Sequence, residues 1–238
     1  MQAFLAILQY DLGQLTRSWV SRVWVPLLIV PALFLVVVAR DETELASETM
    51  AVYIAAVLAP ISALAVSILA SGAISGESNI ISDSILSRSV TRTEYVFAKI
   101  ISRVGFTLVV YALVVTPFSY LVIRYAIADT SVGGVVAGLL MIAALLAFLA
   151  AFGIAMSVAM SSVLPAVLVV LLAVTLSGAV LQFLGLSWMS TTAVIDGLPE
   201  TFRGDTPVWE QVRVVLVFSL LTVAALVSSV WLFRRKDL

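Results

Sequence analysis

The sequence predicts an all-α integral membrane protein with six transmembrane helices. Six apolar runs are each long enough to cross a hydrocarbon core of ~30 Å, which takes about 20 helical residues. The 238 residues are 62% hydrophobic and only 11% charged, whereas a soluble domain is about half apolar and a quarter charged. Basic residues gather on one side of the runs and acids on the other, the asymmetry that orients membrane proteins. With a mean hydropathy of +1.17, the apolar excess exceeds what a water-soluble core can hide, so the bilayer is the solvent. A single transmembrane domain, residues 1–238, accounts for the chain.

The runs fall at about 23–39, 52–74, 101–123, 135–158, 163–186 and 213–233. The first contains Pro26 and Pro31. It starts after 22 residues with no basic stretch before it and no small-residue cleavage site after it, so it reads as a retained span rather than a signal peptide. No charged residue lies between Asp129 and Asp196. That interval fits two spans, with Ser161, Ser162 and Pro165 marking a tight turn between them. The runs are too long and too evenly apolar for the alternating strands of a membrane barrel.

Arg17, Arg22, Arg88, Arg92, Lys99, Arg103, Arg234, Arg235 and Lys236 lie on one side of the six spans. Only Arg40, Arg124, Arg203 and Arg213 lie on the other, together with nine of the fourteen acids. The positive-inside rule makes the first side cytoplasmic, and an even number of spans places both termini there.

Three pieces do not span. In residues 1–22, Phe4, Leu8, Leu12, Leu15 and Trp19 recur on one helical face, with Gln9, Gln14 and Arg17 off it. This predicts an amphipathic helix lying in the membrane interface; the plainer alternative is an extension of the first span. The external segment 187–212 carries Trp188, Phe202 and Trp209, residues suited to an interfacial belt. Ile195, Leu198, Phe202 and Trp209 allow short helices dipping into the outer leaflet, possible re-entrant elements, with an ordinary surface loop as the alternative. The cytoplasmic segment 75–99 reads as a short amphipathic helix around Ile81 and Ile85. A second helix then opens at Glu94, with Thr91 or Thr93 as its N-cap.

The residues present exclude several chemistries. Cysteine and histidine are absent, which removes disulfides, Cys/His metal sites and any imidazole base. The phosphate-binding pattern Gly-x4-Gly-Lys-Ser/Thr does not occur, so this chain is not itself a P-loop ATPase. The cytoplasmic acids Glu77, Asp83 and Glu94 are too scattered for a metal-dependent transferase. No span carries a central Asp, Glu, Lys or Arg, the groups that ion-coupled carriers keep near the midplane. The polar groups inside the spans are mild: Ser62, Ser67, Thr107, Thr116, Thr175, Ser177, Ser219 and Thr222 can each bond to a carbonyl one turn away. Gln182 is the least expected and is the one weak candidate for a substrate path. Ala143, Ala147, Ala151, Ala155 and Ala159 form a stripe at i+4 spacing that invites close helix packing, and Gly72 and Gly76 make a shorter version.

The segment 76–100, GESNIISDSILSRSVTRTEYVFAKI, resembles the cytoplasmic loop of type-2 ATP-binding-cassette (ABC) permeases, which pair with a separate ATPase. The matching residues are Glu77, Ile85-Leu86, Ser87-Arg88, Val90-Thr91-Arg92, Tyr95 and Lys99. Ser89 stands where proline is usual, and Ala98 where glycine is frequent. The N-terminal amphipathic helix, the six spans, the external segment and the basic ending Phe233-Arg234-Arg235-Lys236-Asp237-Leu238 extend the resemblance over the whole chain. The resemblance implies a short coupling helix between spans two and three that docks into an ATPase groove, through Glu77, Asp83, Ile85, Leu86, Ser87, Arg88 and Arg92. It also implies a cytoplasmic ABC ATPase dimer that binds ATP and Mg, and a second permease subunit, the same or related.

The resulting expectation is a non-catalytic permease in the cell membrane of a prokaryote. It would contact lipids but no nucleic acid, bind no cofactor itself, and export a hydrophobic or amphiphilic substrate. The alternatives are a self-sufficient carrier or channel, which needs a polar mid-span residue, and a non-transporting scaffold that uses 76–99 only for docking. Without bases or metal ligands, an intramembrane enzyme ranks last.

Overall fold

The computed structural model describes residues 2–41, 44–73, 92–160 and 162–235. The first piece is α1 (Gln2–Arg17), followed by α2 (Trp19–Asp41). Next come α3 (Ala46–Ser71), α4 (Arg92–Tyr125), α5 (Val132–Ala159) and α6 (Val163–Phe183). A 3-10 turn (Ser187–Met189) leads into the short helices α7 (Thr191–Asp196) and α8 (Leu198–Arg203). The last helix is α9 (Val208–Arg235). Six of these, α2 to α6 and α9, are long and apolar enough to cross a membrane. The protein is an all-α, multi-pass membrane protein. The described residues hold no strand, only a parallel bridge between Leu45 and Ile127.

The apolar runs locate the spans, but several helices extend past them. α3 starts at Ala46 rather than near residue 52, and its first turn is buried apart from Glu48. α4 is already helical at Arg92, two residues before the expected opening at Glu94, and Thr93 lies inside the helix instead of capping it. Residues 208–212 likewise belong to α9. Ser162 flanks the start of α6 and Pro165 sits in its first turn, where a missing N–H costs nothing.

α5 is the central helix. It packs against α3 on one side and α9 on another, and also meets α4, α6 and α8. Leu146, Ala150, Ala151 and Ile154 are almost fully buried. Where α5 meets α3, a Cβ on Gly153 would stand 2.7 Å from the Ala70 Cβ, so only glycine permits this approach. The alanine stripe divides by position: Ala151 and Ala155 are buried, Ala143 and Ala147 half-buried, and Ala159 exposed. An i+4 line advances about 40° per step around a helix with 3.6 residues per turn, so it winds out of any one interface. Gly76, the partner of Gly72 in the shorter pair, lies outside the described residues.

Several hydroxyls in the spans are satisfied locally, whereas Ser119 Oγ is buried without a hydrogen-bond partner among the described residues. Ser67, Thr107, Thr175, Ser177 and Thr222 donate to carbonyls of the preceding turn. Ser62 differs, accepting from Trp24 Nε1 at 3.3 Å. Tyr53 donates to the Leu28 carbonyl and Tyr111 to that of Leu139, so these hydroxyls tie α3 to α2 and α4 to α5.

Candidate functional site

α1 breaks from α2 at Ser18. Gln9, Gln14 and Arg17 are exposed and Leu15 is buried, in keeping with the amphipathic pattern. Trp19 departs from it: the break puts Trp19 at the start of α2, 73% exposed. The buried face of α1 holds a carboxylate that the apolar pattern conceals. Asp11 is fully buried, in line with Phe4, Leu8 and Leu15, because seven residues nearly complete two helical turns.

The Asp11 carboxylate lies at the start of α4. Lys99 Nζ donates to its Oδ1 at 2.7 Å. Arg103 approaches with a fork, Nη2 to Oδ1 at 3.1 Å and Nε to Oδ2 at 3.2 Å. The Ser102 hydroxyl donates to Oδ2. Arg103 Nη1 then reaches the Leu69 carbonyl at 2.7 Å, satisfying one of the carbonyls that the end of α3 leaves without an intrahelical donor. Burial pushes the Asp11 carboxyl up, but the charges of Arg103 and Lys99 and the hydrogen bonds from Lys99 and Ser102 outweigh it and hold the pKa below its ordinary value. The cluster therefore joins α1 to both stems of the 74–91 segment, the end of α3 and the beginning of α4.

Of the matching residues in 76–100, Tyr95 and Lys99 are buried inside the bundle, and Val90 and Thr91 lie outside the described residues. The Tyr95 ring stacks on Phe233 at 6.2 Å, joining the start of α4 to the end of α9. Glu77, Asp83, Ile85, Leu86, Ser87 and Arg88 lie outside the described residues. Arg92 is the first residue of α4.

At the opposite end, α7 and α8 fold onto the bundle. Val194, Leu198 and Phe202 are buried, whereas Trp209 is 68% exposed. Phe202 enters a notch made by Gly134 and Gly138: a Cβ on Gly138 would stand 2.5 Å from its ring. Beside it, Asp129 accepts from the Ser47 N–H at 2.9 Å, so its carboxylate sits at the N-terminus of α3, where the helix dipole favours negative charge. Arg203 donates from Nε to Asp129 at 3.2 Å and from Nη2 to Glu48 at 2.6 Å. Burial raises the Asp129 pKa, but the Ser47 hydrogen bonds and Arg203 more than offset it and hold it below the ordinary value. α8 is thus pinned to α3 and to the α4–α5 connection.

Between these ends lies an apolar cavity of about 630 Å³, walled by α3, α5, α6 and α9 and closed at one end by the 189–195 segment. α3 presents Leu58, Ala59 and Pro60 to it, at the end of a π turn (Ile54–Leu58) in which the Ala59 N–H bonds to the Ile54 carbonyl. A single π turn is a local widening that recurs at functional sites. Among the described residues, the only hydroxyls on the wall are Thr175, Ser177 and Thr191, and no charged side chain lines it. Gln182 is exposed on α6 and is not on the cavity wall; its neighbour Leu181 is. Among the described residues no His, Cys, Asp and Glu cluster could hold a metal.

Sequence reasoning missed both sites: the one signal for Asp11 is its register on the face of Phe4, Leu8 and Leu15, and the one signal for the notch is the spacing of Gly134 and Gly138 four apart. Neither names its partner, which comes from a distant part of the chain. No family model matches the chain, and no curated protein matches it.

Proposed function

We propose that this chain is the membrane-spanning permease subunit of an ATP-driven transporter of the type-2 ABC kind, exporting a hydrophobic or amphiphilic substrate. The observation that carries the reading is the buried Asp11–Lys99–Arg103 cluster. In this reading both termini are cytoplasmic, and the 74–91 segment with Arg92 receives a cytoplasmic ATPase dimer. A displacement there would pass to α1 and α4 together, since one cluster holds α1 and both stems of the segment. A coupling element needs different contacts in two states, and a rigid joint delivers the difference to more than one helix. The neutral cavity supports an apolar cargo over a small ion. A second permease subunit completes the pathway, ATP and Mg bind the partner, and the assembly resides in a prokaryotic cytoplasmic membrane.

Affinity purification of the tagged full chain in mild detergent tests the proposal. The expected result is a stoichiometric soluble ATPase that is lost in the double variant Arg88→Glu, Arg92→Glu. Recovery of the chain alone, with nucleotide-independent transport after reconstitution, would instead establish a self-sufficient carrier.

A further inference from the structure

The cavity is bordered by the least buried stretch of α6. α6 has only two buried residues, Ala166 and Val170, both in its first half. From Leu171 to Phe183 none is buried. One side of this stretch, including Leu171, Val174 and Leu181, lines the cavity. The other carries Leu172 and Leu176, each 55% exposed. The second half of α6 therefore leans off the bundle. The cavity is the wedge between it and the α3–α5 pair, and α6 is apolar on both sides, as a helix with lipid on both sides would be.

The wall chemistry selects the occupant. Thr175 and Ser177 donate to the Leu171 and Val174 carbonyls of their own helix. An ordered water needs two to four polar partners, and this wall offers too few. With no charged side chain on the wall among the described residues, a headgroup would enter without a counter-charge. Phe148 and Phe152 stack at 5.8 Å, and Phe148 meets Phe218 at 5.9 Å, forming a smooth aromatic floor. The volume lies within the range of about 300–1,000 Å³ typical of small-molecule sites. Left empty, the wall would lose dispersion contacts on one side of every lining atom. The solvent around six apolar spans supplies one group that fits such a wall, a hydrocarbon chain.

We infer that the cavity is a lipid-tail site: the acyl chain of a bilayer phospholipid enters sideways past the second half of α6 and lies on the Phe148–Phe152–Phe218 floor, its headgroup remaining outside. The site requires no ATPase, so it stands or falls separately from the permease reading. If that reading also holds, this wedge is the route by which an amphiphile's tail enters.

The test uses the full chain in phosphatidylcholine nanodiscs doped with phosphatidylcholine that carries a photoreactive diazirine in one acyl chain. Labelled residues are mapped by mass spectrometry after irradiation. The expected labels fall on Phe148 and Val174 inside the wedge as well as on Leu172 and Leu176 outside it. Filling the wedge from either wall, by Ala63→Trp or Ser177→Phe, should lower the Phe148 label about tenfold, equivalent to roughly 1.4 kcal/mol of binding, and leave the Leu172 label unchanged. Labels confined to Leu172 and Leu176 in the unmodified chain would overturn the inference, and that map decides even if both variants misfold. An undiminished Phe148 label in a folded variant would also overturn it.

Discussion

Asp11 and Lys99, 88 residues apart in the chain, meet at 2.7 Å with neither side chain more than 1% exposed. The contact joins α1 to the first turns of the third span, and it determines what each residue can do. Lys99, which matches the lysine opening the third span in the resemblance, is committed inward.

Replacing Asp11 by Asn should therefore be severe. It removes the carboxylate and leaves Lys99 and Arg103 buried beside a neutral group, a loss of about 3–5 kcal/mol for a broken buried pair. Expected are a lower melting temperature in detergent and maleimide labelling of a Leu15→Cys reporter, which the parent protects. The double variant Asp11→Asn, Lys99→Met should recover part of the loss, because it also removes a charge left without its partner. A melting temperature unchanged by Asp11→Asn would show that the cluster does not hold α1.

The Arg203 knot should respond to pH in a defined direction. The docked Asp129 has its pKa held below the ordinary 3.8, so the knot contributes its full share above that value. The contribution is lost as pH falls through the lower, docked pKa. Hydrogen exchange of α8 should be flat from neutral pH down to the ordinary carboxylate range, once corrected for intrinsic rates, and rise below it. Asp129→Asn should remove the acid-induced rise. A rise centred near neutrality would point to another group.

Gly138→Ala tests how firmly α8 is seated. The new methyl group would stand 2.5 Å from the ring of Phe202, which is fully buried and cannot swing aside. Overpacking of this kind costs about 1–3 kcal/mol, and the expected readout is a lower melting temperature with faster proteolysis within 198–206. Phe202→Leu in the same chain should relieve the clash. Gly133→Ala, where a Cβ meets nothing within 4 Å, is the matched control and should melt with the parent.

Gln182 separates two transport readings. It is exposed and off the cavity wall, so Gln182→Leu should leave the melting temperature within the range of a surface change, about 0.5 kcal/mol, and leave transport unaltered. A strong loss of transport with unchanged stability would place the path on the outer side of α6, away from the wedge.

The sequence by itself determined the spans, because burial in lipid needs only length and apolarity, and both can be read along the chain. It also marked Gln9, Gln14 and Arg17 as outward on the first helix, because a helical period is a local property. Local too were the hydroxyls of Thr107, Thr175 and Thr222, each satisfied one turn back. Tertiary structure alone decided which distant charges meet. The basic residues at the start of α4 count toward orientation in any arrangement of the helices, but only the docking of α1 brings Asp11 to Lys99 and Arg103. Only the folding back of α8 brings Arg203 to Asp129 and Glu48. The wedge behind α6 was equally hidden, since an evenly apolar helix carries no periodic mark of which side faces protein and which faces lipid.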